Sequence, residues 1–173
     1  GTAEYIGYGV IASVCKYMAE RECVDVVLHL DHASKFDDIR TAIEAGYSSV
    51  MFDGSALPFK ENIMQTRAVA EYAHAHGVSI EGELGTIGGT EEGVSVSEED
   101  KKFTDPESAR IFVKETLVDA LAVGVGTNHG QYKSKTNLNF SLLKKINDTI
   151  DTPLVIHGGT GVKEEDIHQC TNY

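Results

Sequence analysis

Three histidines stand where short apolar runs give out. His32 closes Val26-Val27-Leu28-His29-Leu30-Asp31-His32, His129 follows the run from Ala120 to Gly126, and His157 follows Leu154-Val155-Ile156. Neutral imidazoles are common metal ligands, and three nitrogen donors with an open fourth position form the pattern of catalytic zinc. Any one of these histidines alone is more often a hydrogen-bonded interior residue. The same placement on three separate runs favours a shared divalent ion. His74, His76 and His168 lie on or near helical stretches and carry no such expectation.

Carboxylates and glycines surround the same positions. Asp31 adjoins His32 and could serve as a general acid or base, or could orient a neighbouring imidazole. Glu91 lies on the glycine-rich stretch Gly85 to Gly93 and could swing inward if that loop closes, although spacing alone makes it a solvated charge. Asp53 and Glu83 end their own apolar runs and are candidates for a second cation, or for fixing the first set. Gly130 follows His129, and Gly158-Gly159-Thr160-Gly161 follow His157. Glycines let backbone N–H groups approach an anion, and a following helix adds its positive end. A tight turn explains such glycines equally well in isolation. Beside a candidate metal ligand, a phosphate site is the better reading.

These residues need a scaffold that gathers strand ends. Strands are expected over 26–31, 49–53, 78–84, 120–126 and 154–156, from runs of β-branched and other apolar residues. Between them fall helical patterns. Residues 7–20 carry an apolar stripe of Val10, Val14 and Met18, with Ile11 and Cys15 beside it. A helix from about Phe36 to Glu44 is expected to start at Ser34 and end at Gly46. Pro58 leads into a long helix through Ala75, ended by Gly77, with Met64, Ala68 and Tyr72 toward the core. Pro106 opens another, with Ala109, Phe112, Val113 and Thr116 on one face; further helices are expected from about Ser141 to Ile150 and from about Glu164. Beyond Leu84 lies a loop of roughly twenty residues, long enough to be a lid or binding loop rather than a connector.

Strict alternation of strand and helix argues for a parallel α/β architecture. A doubly wound sheet and a (β/α)8 barrel both satisfy the pattern. Polar residues at the ends of all the strands favour the barrel, because a doubly wound sheet gathers its ligand groups at one crevice. The 173 residues hold five strand–helix units of the eight a barrel needs. The chain opens at Gly1 and stops at Tyr173 within a helical stretch. We therefore expect one partial-barrel domain over 1–173, truncated at both ends.

Bulk properties narrow the partners. Lys+Arg number 15 against 27 Asp+Glu, a net charge of −12. Nucleic acid and anionic membrane surfaces both select basic proteins, so neither is expected. No apolar run approaches the length that spans a bilayer. The three cysteines, Cys15, Cys23 and Cys170, are odd in number and lack C-x-x-C spacing, which points to a reducing, cytoplasmic setting.

Five segments in order resemble the zinc-dependent class II fructose-bisphosphate / tagatose-bisphosphate aldolase family: LDHASKFDDI, MFDGSALPFKENI, EGELGTIGGTEEG, TNHGQYK and LVIHGGTGV. The resemblance covers essentially the whole chain. It implies a partial (β/α)8 TIM barrel comprising strands three to seven. It further implies that His32, His129 and His157 bind zinc and that Asp31 handles the proton on the oxygen at the bond made or broken. Glu91 would take a proton from dihydroxyacetone phosphate. Gly130, Gly158, Gly159 and Thr160 would contact phosphate, and Asp53 and Glu83 would hold a second or displaced metal. A monovalent cation, Na+ or K+, is a further candidate. Thr90 departs from the Gln or Glu common at its position, and the strand-eight phosphate segment is absent.

The implied reaction is reversible aldol cleavage of fructose or tagatose 1,6-bisphosphate to dihydroxyacetone phosphate and glyceraldehyde 3-phosphate, in a homo-oligomer at full length. No strand ends in lysine, which agrees with a metal rather than a Schiff-base mechanism. The rival readings are a non-catalytic open barrel piece and a metal-dependent phosphosugar isomerase or hydrolase. The 173 residues alone are expected to be inactive.

Overall fold

In the computed structural model, which describes residues 2–91, 94–96, 102–129 and 138–173, strands and helices alternate along the chain. The N-terminal part holds α1 (Thr2–Ile6), α2 (Tyr8–Glu22), β1 (His29–Ala33), α3 (Phe36–Ala45), β2 (Ser49–Phe52), α4 (Phe59–Ala75) and β3 (Ser79–Leu84). Then come β4 (Gly88–Glu91), β5 (Val94–Val96), α5 (Pro106–Thr116), β6 (Ala120–Val123), β7 (Asn128–His129), α6 (Phe140–Asn147), β8 (Leu154–Val155) and α7 (Glu164–Cys170). A parallel sheet runs in the order β1-β2-β3-β6-β8, as expected for a partial (β/α)8 barrel. Parallel neighbours require crossovers, and α3, α4, α5 and α6 lie in those connections.

The core lies between the sheet and these helices. Ile39 and Ala42 of α3, Val69 and Ala73 of α4, Phe112 of α5 and Ile146 of α6 are almost wholly buried against it. On α5 the buried residues are Ala109, Phe112 and Thr116, the face its periodicity predicts. Asp105 caps that helix by accepting from the Ser108 N–H.

Four expectations are corrected. The first strand begins at His29, not Val26, because its pairing with β2 starts at His29 opposite Ser49. Val26 and Val27 precede that register and stay exposed. Secondly, Ser34 does not cap α3; Lys35 occupies the N-cap with no side-chain hydrogen bond, while Gly46 closes the helix in the left-handed conformation as expected. Thirdly, Met64 and Ala68 of α4 face solvent, and Tyr72 is only partly buried. The buried face is Asn62, Thr66, Val69, Ala70 and Ala73, whose polar members disguise it. The fourth run stops as a strand at Val123, and Asn128-His129 becomes a separate strand.

The long connection after β3 is not irregular throughout. β4 pairs antiparallel with β5 and parallel with β7, in a small second sheet ordered β5-β4-β7. The apolar stripe of α2 finds no buried position: Val10, Val14 and Met18 are each about half exposed.

Candidate metal centre

β3 sets the floor of the site. Its Gly82 faces α4 and α5 so closely that a Cβ there would lie 3.0 Å from both Phe112 and Val118. Strand alternation sends Glu81 and Glu83 to the opposite face. Both are buried, Glu83 to 2% exposure. Asn62 fixes the strand end from the helix layer, donating its amide to the Glu83 carbonyl at 2.9 Å while accepting from Thr66 at 2.9 Å.

β1 brings the first histidine in by breaking its own regularity. The pairing with β2 shifts register between Leu30 and Ala33, and His32 has φ 48°, a left-handed backbone unusual for a residue with a Cβ. Regular alternation would place neighbours Asp31 and His32 on opposite faces. The His32 side chain is buried to 7% exposure, while that of Asp31 keeps 54%. His32 Nδ1 lies 3.1 Å from Asp53 Oδ2 and 3.7 Å from Glu83 Oε2. Asp53 is itself held by Ser55, whose N–H and hydroxyl both donate to Oδ1.

The remaining imidazoles arrive from β7 and from the end of β8. His32 Nε2 stands 3.1 Å from His157 Nδ1. Ring centroids of His32 lie 4.9 Å from His129 and 4.5 Å from His157, and those of His129 and His157 are 5.9 Å apart. The structure thus gathers three rings that are far apart in sequence. Gly158 makes the approach possible: its φ is 74°, and a Cβ would sit 2.4 Å from the Asn128 carbonyl oxygen.

Two sets of potential donor atoms lie within 4.8 Å of one another: His32, His129 and His157, and His32, Asp53 and Glu83. Two nitrogens binding one tetrahedral zinc stand about 3.3 Å apart, close to the His32–His157 separation. Burial, reinforced by the neighbouring His32 and His157, drives the His129 pKa down to about 4, leaving a neutral imidazole of the kind metals bind. Burial also pushes Glu83 up to about 8, with the Asp53 charge adding to the effect. Its Oε2 is buried without a hydrogen-bond partner, as a carboxylate shaped for a cation would be. For His32, burial opposes the charged form, but the Asp53 hydrogen bond and the charges of Glu83, Asp31 and Asp53 outweigh it and raise the pKa. Asp53 also feels burial first, yet its hydrogen bonds from His32 and Ser55 bring it below the ordinary range. The residues fit a divalent ion.

Asp31 lies at the margin, its Oδ1 3.9 Å from His157 Nδ1. Gly159 and Thr160 sit exposed in the turn before α7, beside Gly158. Gly130 and the side chain of Glu91 lie outside the described residues; the Glu91 backbone pairs with Val94. Two contributors escaped the sequence reading. Glu81 Oε1 accepts from His157 Nε2 at 2.8 Å, and His29 Nε2 lies 3.7 Å from Glu81 Oε2 with its Nδ1 2.7 Å from the Ser49 hydroxyl. The available signal was the spacing Glu81-x-Glu83 on one strand, which puts both acids on one face.

Known proteins share the fold and family of this chain. The family model for class-II fructose-bisphosphate aldolase matches residues 1–173. The YdjI aldolase from Escherichia coli K12 is 34% identical with a TM-score of 0.81, over 95% of this chain and 56% of that one. A Coccidioides immitis structure assigned as a fructose-1,6-bisphosphate aldolase is 30% identical with a TM-score of 0.89, over 98% of this chain and 61% of that one. The fructose-bisphosphate aldolase of Campylobacter jejuni is 26% identical with a TM-score of 0.74, over 97% of this chain and 55% of that one. The chain therefore spans between 55% and 61% of the length of these structures. Their likeness, together with the full-length family match, establishes that the chain belongs to the class-II fructose-bisphosphate aldolase family.

Proposed function

We infer that this chain supplies the metal centre of a zinc-dependent ketose-bisphosphate aldolase. The whole protein reversibly cleaves fructose or tagatose 1,6-bisphosphate to dihydroxyacetone phosphate and glyceraldehyde 3-phosphate. The observation that carries the reading is the convergence of His32, His129 and His157 beside Asp31. When bound by those three imidazoles, zinc supplies Lewis-acid charge where aldol cleavage leaves electron density next to a ketone.

The chain's own residues supply the rest. Asp31 keeps its carboxylate accessible at the edge of the cluster, where it can exchange a proton with the hydroxyl at the bond made or broken. Glu91, carried on β4, takes the proton from the dihydroxyacetone phosphate carbon in the condensation direction. Backbone N–H groups of Gly158, Gly159 and Thr160, with Gly130, receive the substrate phosphate. Asp53 and Glu83 hold a second cation, and a monovalent Na+ or K+ is a further candidate cofactor. The domain extends over 1–173 in a cytoplasmic homo-oligomer whose partner is the phosphosugar, not nucleic acid. No helix among the described residues is long and apolar enough to cross a membrane.

A coupled assay on the whole protein tests this. Triose phosphate release from fructose or tagatose 1,6-bisphosphate should disappear with a chelator and return with zinc. Metal-dependent turnover of phosphosugars without triose release would instead identify an isomerase or hydrolase. Activity indifferent to chelation would overturn the metal reading.

A further inference from the structure

Glu81 lies one layer behind the three imidazoles. Its carboxylate is buried on the inner face of β3 and touches two rings: Oε1 stands 2.8 Å from His157 Nε2, and Oε2 3.7 Å from His29 Nε2. His29 is anchored in turn, its Nδ1 2.7 Å from the hydroxyl of Ser49, its register partner on β2. Ser49, His29, Glu81 and His157 thus form a chain of contacts that draws on β2, β1, β3 and the end of β8.

We propose that Glu81 is a positioning residue that locks His157 in the tautomer presenting Nδ1 to the ion, with His29 and Ser49 bracing its carboxylate. This rests on the metal reading of His157. A neutral imidazole has one N–H and one lone pair, and an ionised carboxylate only accepts. With Glu81 as acceptor, Nε2 carries the proton and Nδ1 keeps the lone pair. Nδ1 is also the atom that faces His32 Nε2 at 3.1 Å. His32 follows the same rule through a different partner: Asp53 Oδ2 stands beside its Nδ1, leaving Nε2 for the shared centre. The two rings therefore approach one point with opposite nitrogens, each selected by its own carboxylate. Carboxylates behind metal-binding imidazoles fix ring orientation and raise ligand basicity, and their loss costs about 10- to 100-fold in metal affinity.

The test begins with the unmodified whole protein. Long-range proton–nitrogen correlation spectra of its imidazoles, recorded without metal near neutral pH, should show His157 as the Nε2–H tautomer. An Nδ1–H tautomer would overturn the proposal. Next, zinc affinity by chelator competition and the visible spectrum of the cobalt-loaded protein are compared across substitutions. Glu81→Gln retains an acceptor oxygen and should bind within about threefold of the parent with an unchanged spectrum. Glu81→Leu removes the acceptor at similar volume and should weaken zinc by about 10- to 100-fold and shift the cobalt bands. Parent-like affinity and bands in Glu81→Leu would refute the role of Glu81 while leaving the metal centre intact. A parent protein that binds no zinc would instead overturn the reading on which the proposal rests.

Discussion

The two faces of β3 follow opposite rules. On one, Ile80 and Gly82 meet the helices so tightly that even a methyl at Gly82 would press on Phe112, Val118 and Thr66. On the other, two residues along the same backbone, Glu81 and Glu83 are buried as acids, and Glu83 Oε2 finds no hydrogen-bond partner. Close packing stabilises the first face. Desolvated carboxylates destabilise the second unless a cation or proton compensates them. The contrast teaches where the fold has traded stability for a site. It also says how each face should respond to change.

The largest effects belong to the acidic face and its histidines. Replacing His129 or His157 with Ala should abolish zinc retention and reduce cleavage in the whole protein by about a hundredfold or more, read by metal analysis and the coupled assay. Asp31→Ala should keep its zinc and still lose about two or more orders of magnitude in turnover. Parent-like turnover in the Asp31 variant would remove that residue from the chemistry.

Substitutions toward the helices should cost stability instead. Gly82→Val should lower unfolding free energy by about 1–3 kcal/mol in denaturant titrations, because the added atoms have no room. Asn62→Ala should cost slightly less, about 1–2 kcal/mol, by leaving the Glu83 carbonyl without its donor. The smallest change has the opposite sign. Glu83→Leu should stabilise the metal-free protein by about 1 kcal/mol, since an unsatisfied buried acid is replaced by a hydrocarbon of similar size. A destabilised Glu83→Leu would show that this face is packed for stability after all.

Much of the scaffold was legible because it rests on periodicity. Alternating apolar runs marked the five parallel strands, and the 3.6-residue repeat marked Ala109, Phe112 and Thr116 as the inner face of α5. The convergence of His32, His129 and His157 could be expected once their strands shared one rim. Other features depend on neighbours that a local pattern does not contain. Asn62 and Thr66 are polar yet buried, because their hydrogen-bond partners come from β3 and from each other, so an apolar stripe pointed to the wrong side of α4. The left-handed backbone at His32 falls where the pairing of β1 with β2 shifts register. Glu81 read as an alternating strand acid, because its connection to His157 crosses 76 residues of chain.

The small sheet beside the centre has a mechanical consequence. Gly89 of β4 pairs with His129 of β7 through the main chain, and Glu91 lies two residues further along the same strand. Main-chain pairing is blind to side-chain identity, so this linkage persists through most substitutions in either strand. Any displacement of the segment bearing Glu91 is therefore transmitted through the main chain to the backbone of His129.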